Sequence, residues 1–227
     1  MTLEAYCVPP SSRRGETVTL QVSTDGGSFD IEVAREGAER EVVWSATDIP
    51  GEDRAAPEEA SSSGCGWPAT VDIPIGHWRS GYYAVTLTAD EDRADAFLVV
   101  RPDASDPAPI LLVLSTTTWQ AYNDWGGRSL YTGGTHVSFE RPFAKGFLVK
   151  PEPMGRMMQS EPDREAMGFR SWARPRGLSD WCGGAGWFTY ERTFTRWAEG
   201  NGYRLDVAVS QDLERHREIL DGPRLFL

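Results

Sequence analysis

Arg101-Pro102-Asp103-Ala104-Ser105-Asp106-Pro107-Ala108-Pro109-Ile110-Leu111-Leu112-Val113-Leu114 is the stretch on which the reading of this chain turns. Its first nine residues set three prolines among small and acidic side chains. Proline fixes φ and has no N–H, so neither a helix nor a central strand runs through them, and 103–109 reads as a linker. Ile110–Leu114 is then an uninterrupted apolar run, the pattern of a strand covered on both faces in a parallel sheet. The chain therefore divides into a β unit over 1–102 and an α/β unit over 110–227.

Upstream, Thr17–Val22 and Phe29–Val33 alternate with period two, as in a sheet with one buried face. Between them Thr24-Asp25-Gly26-Gly27-Ser28 reads as a hairpin-like turn in which glycine takes positive φ. Arg40–Trp44, Thr70–Ile73, Gly81–Ala89 and Ala96–Arg101 are further strands, with Asp90-Glu91-Asp92 turning between the last two. This spacing, with no helical pattern, predicts an immunoglobulin-like β-sandwich. Residues 48–66 interrupt it. Gly51–Gly64 is polar, small and acidic and reads as a mobile loop.

Downstream, Phe188–Gly200 reads as an amphipathic helix stopped by Gly200-Asn201-Gly202. Tyr203–Val209 reads as a strand, Asp212–Leu220 as a short helix, and Leu225–Leu227 as the opening of another strand. Strand–helix–strand–helix–strand marks a parallel α/β sheet. Three strands fall short of the roughly five or six usual in a sheet, so the expectation is a domain left unfinished. The long segment 115–185 is rich in Trp and glycine pairs and follows the first parallel strand, where such sheets bind ligands.

The formal net charge is −11, and Lys and Arg form no cluster of the kind that binds nucleic acid. No apolar run approaches the roughly 20 residues of a membrane span, and the first residues do not form a secretory signal. Three widely spaced cysteines, Cys7, Cys65 and Cys182, fit reduced thiols in the cytoplasm better than a disulfide framework, with a Cys7–Cys65 bridge as the alternative. The 11% aromatic content argues against disorder.

Leu114–Tyr131 carries the most chemistry: it leaves the first parallel strand with hydroxyls, two tyrosines and a glycine pair. A tyrosine phenolate is a hard oxygen donor that suits a trivalent metal. Other constellations are weaker. Cys182 has no histidine base identifiable near it. Ser115 lies outside a G-x-S-x-G elbow. His77 reads as a turn residue, His216 as part of a solvated helix face, and His136 as either a site-lining or a satisfied loop histidine. Glu140 and Arg141 are placed to order the loop by pairing.

The phrases Thr118-Trp119-Gln120-Ala121-Tyr122-Asn123-Asp124-Trp125-Gly126-Gly127-Arg128-Ser129-Leu130-Tyr131 and Val137-Ser138-Phe139-Glu140-Arg141-Pro142-Phe143 resemble signatures of the large catalytic subunit of the N,N-dimethylformamidase family. Arg14–Thr24 and Ile75–Tyr83 resemble, less specifically, the β-module before that catalytic domain. The resemblance implies a flavodoxin/glutamine-amidotransferase-like second domain and hydrolysis of a small amide at an iron held by two tyrosines and a glutamate. It implies Tyr122 as one iron ligand and Tyr131 as the weaker choice for the second, with Asn123 and His136 as substrate-pocket candidates. The family's glutamate and catalytic histidine lie in a His-x-Glu phrase expected beyond Leu227. The chain is thus expected to be a fragment or split form, inactive alone, that self-associates or takes a small partner subunit. The alternative is a non-catalytic binding or assembly module with an aromatic loop platform.

Overall fold

The computed structural model describes residues 2–150, 171–181 and 183–227. The nucleophile reading of Cys182 lies outside the described residues. The chain is β-rich, with several sheets. The strands are β1 (Leu3–Val8), β2 (Ser11–Ser12), β3 (Thr17–Thr24), β4 (Ser28–Glu36), β5 (Arg40–Pro50), β6 (Val71–Pro74), β7 (Gly81–Ala89), β8 (Asp92–Val100), β9 (Ile110–Leu114), β10 (Leu205–Val209) and β11 (Leu225–Phe226). They form three sheets, in the orders β1-β3-β6, β2-β8-β7-β4-β5 and β10-β9-β11. In the third sheet β10 and β11 both run parallel to β9. The helices are α1 (Ala60–Ser63), α2 (Thr116–Tyr122), α3 (Glu191–Gly200) and α4 (Asp212–Arg215). No helix among the described residues is long and apolar enough to cross a membrane.

Alternation builds the first core. Val18, Leu20 and Val22 of β3 meet Ile31 and Val33 of β4, Val85 and Leu87 of β7, and Leu98 of β8, all essentially sealed from solvent. The opposite faces of β7 and β8 are also buried. Tyr82, Phe97 and Val99 pack against Leu112 and Leu114 of β9, Trp119 of α2, Trp187, and Val207 and Val209 of β10. Tyr82 stacks on Trp187 with centroids 4.3 Å apart and planes 6° apart. The five-stranded sheet is thus the middle layer between two cores.

Several local expectations change. β3 and β4 lie in different sheets, so Thr24–Ser28 is a crossover rather than a hairpin. Neither Gly26 nor Gly27 takes positive φ. β1 has no counterpart in the sequence reading; its apolar residues, Leu3, Ala5 and Cys7, are interspersed with Glu4 and Tyr6. β5 continues to Pro50, and β8 starts at Asp92 because its paired turn extends the ladder. The 212–220 helix divides into α4 and a 3-10 turn over Arg217–Leu220. The 48–66 segment is tied to its neighbours by hydrogen bonds. The Glu52 carbonyl accepts the Thr24 N–H at 2.9 Å, Arg54 donates to the Pro68 carbonyl at 2.7 Å, and the Ser61 carbonyl accepts the Ser138 N–H at 3.0 Å. Its polar groups find main-chain partners that composition does not reveal. Cys7 and Cys65 are both free thiols. Burial pushes the Cys65 thiol up to about 12, with Glu4 adding to the effect and Arg141 opposing it.

Candidate functional site

Past β9 the chain enters α2 directly. The indole of Trp119 determines this: it is buried in the second core, edge-on to Phe97 at 5.3 Å. A seven-residue helix cannot satisfy its own final carbonyls, and here an arginine does much of that work. Arg141 is fully buried. Its Nη2 donates to the carbonyls of Asn123 at 2.9 Å and Gln120 at 3.2 Å. Nη1 donates to the carbonyls of Trp125 at 2.6 Å and Arg128 at 3.4 Å, and Nε to that of Ser138 at 3.1 Å. The expected pairing with Glu140 is replaced by this cage of carbonyls, because Arg141 points inward while Glu140 is exposed.

Asn123 is also fully buried. Its amide donates to the Pro142 carbonyl at 2.9 Å and to Gln120 Oε1 at 3.2 Å. Its Oδ1 accepts the N–H groups of Ala144 at 3.0 Å and Trp125 at 3.2 Å. The side chain therefore stitches the end of α2 to the 142–144 strand of loop. Leu130 N–H then donates back to the Ala121 carbonyl at 3.1 Å, and the chain has reversed.

That reversal lays Tyr131 on Tyr122, rings 4.4 Å apart and 10° from parallel. Trp181 packs against both, at 5.3 and 5.5 Å. Its segment is held by Asp124, which accepts the Ser179 hydroxyl at 2.7 Å and the Asp180 N–H at 3.2 Å. The neighbouring Tyr131 phenol, followed by burial and by the Tyr190 phenol, raises the Tyr122 pKa above the ordinary tyrosine value. Tyr131 and Tyr190 are about half exposed, so the cluster opens to solvent. Sequence reading named Tyr122 and Tyr131 but missed Trp181, Asp124 and Tyr190; nothing in local pattern joins residues from 122 to 190. His136 is exposed, its Nδ1 3.1 Å from the Thr135 hydroxyl. His77 is exposed, and His216 lies 3.6 Å from Glu218. Among the described residues no group of three or more His, Cys, Asp and Glu is placed to hold a metal.

A cavity of about 960 Å³ lies elsewhere, at the amino-terminal ends of β9 and β10 where the parallel sheet meets the five-stranded sheet. Its arginines are neutralised in place: Arg35 by Glu199 at 2.5 Å and Arg204 by Asp106 at 2.9 Å. Parallel sheets bind ligands beyond their carboxyl ends, so this cleft is a seam between layers and the tyrosine cluster is the better candidate.

A family model described as N,N-dimethylformamidase beta subunit-like, C-terminal, matches residues 30–227, running from β4 through both cores to the end of the parallel sheet. No curated protein matches the chain.

Proposed function

The chain belongs to the N,N-dimethylformamidase beta subunit-like family, and on that premise we propose that it supplies the tyrosine side of an iron-dependent site for hydrolysis of small amides. The observation that carries this reading is the Tyr122–Tyr131 pair, stacked at 4.4 Å and 10° from parallel beside Trp181. Two phenols stacked side by side can offer their oxygens to one ion, and phenolates are hard donors suited to a trivalent metal. That donor chemistry fits the iron that the family resemblance implies. Bound iron would act as a Lewis acid, polarising an amide carbonyl or activating water.

The chain's own residues do the rest of what is proposed. The Tyr122 phenol stays protonated until a cation displaces its proton. Trp181 gives the pair an apolar wall that excludes water and faces alkyl groups of a small amide. Asp124 fixes that wall by holding Ser179 and Asp180. The glutamate and histidine implied by the family are assigned to no residue here. We read the two sheets sharing the first core as immunoglobulin-like, and the parallel sheet as flavodoxin/glutamine-amidotransferase-like, joined across 103–109. A partner subunit or second copy would cover the open side of the cluster at Tyr131 and Tyr190.

Dialysis of the full chain against ferric nitrilotriacetate, followed by metal analysis, tests the reading. Retention of about one iron per wild-type chain and none by Y122F is expected. Equal retention by both proteins, or by neither, refutes it. The second reading, a non-catalytic binding module, rests on Trp197 and Tyr203, stacked at 5.6 Å and 56% and 51% exposed. It requires saturable binding of a sugar or peptide that W197A abolishes.

A further inference from the structure

We propose that Arg141 is the positioning residue of the tyrosine pair, gathering the carbonyls at the end of α2 and along the outgoing loop so that Tyr131 is carried back onto Tyr122. The inference rests on the reading of those tyrosines as the site.

The distribution of the acceptors is the argument. A cation serving only as a helix cap would need only the carbonyls of α2 and its cap. Arg141 takes those of Gln120 and Asn123, at 3.2 and 2.9 Å, but also those of Trp125 and Arg128, at 2.6 and 3.4 Å, on the limb that leads to Tyr131. Its Nε takes the Ser138 carbonyl at 3.1 Å on the returning limb. One planar group thus closes the base of the loop at three places. Within that frame Leu130 N–H meets the Ala121 carbonyl, and the Ser129 hydroxyl accepts the Tyr131 N–H at 3.2 Å. Gly134 closes the turn so tightly that a Cβ there would lie 2.8 Å from the Ser129 carbonyl oxygen.

The chemistry requires arginine. A buried cation is costly unless its donors are satisfied, and the fork of five N–H groups meets five carbonyls here. Lysine has the charge but only three donors radiating from a point, so it cannot hold both limbs. Burial lowers the Arg141 pKa to about 10, with Cys65 and Asp124 opposing, which leaves the side chain cationic at neutral pH.

The test is NMR of the full, metal-free chain with ring-labelled tyrosine, comparing wild type with R141K. The wild type is expected to give ring-to-ring cross-peaks between Tyr122 and Tyr131. R141K is expected to lose them while the amide pattern of the sandwich strands is unchanged, and its ferric affinity is expected to fall at least about tenfold. Arg141→Lys with the cross-peaks intact overturns the proposal, as does a wild type that lacks them. Should R141K fail to fold, hydrogen exchange in the wild type decides. The Arg141 Nη protons must exchange at the rate of the Leu130 amide, and faster exchange of Arg141 alone overturns the assignment. A wild type that takes up no iron yet loses its cross-peaks on R141K supports Arg141 as the positioning residue while the metal reading falls. Intact cross-peaks beside normal iron uptake do the reverse.

Discussion

Asn123 shows how far a single side chain governs the site. It follows Tyr122 directly, is fully buried, and satisfies main-chain groups at Trp125, Pro142 and Ala144. Truncation strands two N–H donors and a carbonyl in the interior, where each unsatisfied group costs about 1–3 kcal/mol. Asn123→Ala is therefore expected to lower stability by about 2–4 kcal/mol, read from the urea midpoint at constant slope. A change below about 0.5 kcal/mol would show that the network is not made. The sequence phrase from Thr118 to Tyr131 was enough to mark Tyr122 and Tyr131, because residue types in a specific order carry a resemblance. It could not show their stacking, which depends on the arginine ten residues past Tyr131 and on Asn123 turning inward. Asn123 was legible as important and illegible as to role, since an amide serves a substrate or a backbone equally well.

At the scale of elements, α3 is the informative case. The sequence over 188–200 reads as an amphipathic helix, yet its Trp197 is 56% exposed while Thr195 and Ala198 are buried. Small residues let the helix approach the sheets, Phe194 packs against the second core, and an ion pair adds to the attachment. Glu199 takes both Nη atoms of buried Arg35 on β4, at 2.5 and 3.0 Å, and the Ala38 N–H at 2.9 Å. Gly37 leaves room for this pair; a Cβ there would fall 2.3 Å from a Glu199 oxygen. Glu199→Gln leaves Arg35 charged and buried, and is expected to cost about 3–5 kcal/mol in chemical denaturation. The pair also sets a pH dependence. Burial works against the Glu199 carboxylate, but the bonds from Arg35 and Ala38 prevail and hold its pKa below the ordinary glutamate value. Its contribution is present above the unfolded value, about 4.3, and is lost as pH falls through the folded one. Asp212 on α4 behaves oppositely. Burial raises its pKa despite the Val209 N–H, the Ser11 hydroxyl and Arg101. The stability it confers is complete below about 3.9 and is lost as pH rises through the raised value. Urea midpoints measured across the acid range should lose the first component in E199Q and the second in D212N. Profiles parallel to wild type in both would contradict these assignments.

Across the whole molecule, the five-stranded sheet joins the two cores. β7 and β8 bury one face in the first core and the other against Leu112, Trp119 and Trp187. The near-continuous apolar run Gly81-Tyr82-Tyr83-Ala84-Val85 is the sequence signal for double-sided burial of β7. The parallel arrangement of β9, β10 and β11 was legible in the alternation of strands with helical segments along the sequence. With one sheet shared by both cores, calorimetry of the full chain should give a single transition whose calorimetric and van't Hoff enthalpies agree. Two resolved transitions would show that the layers fold independently. The central claim, that Tyr122 and Tyr131 present phenol oxygens to a ferric ion, is tested most directly by resonance Raman spectroscopy of the ferric-loaded full chain. The account predicts iron-bound tyrosinate vibrations in the wild type that vanish in Y122F. Iron binding without tyrosinate vibrations, or vibrations unchanged in Y122F, would contradict it.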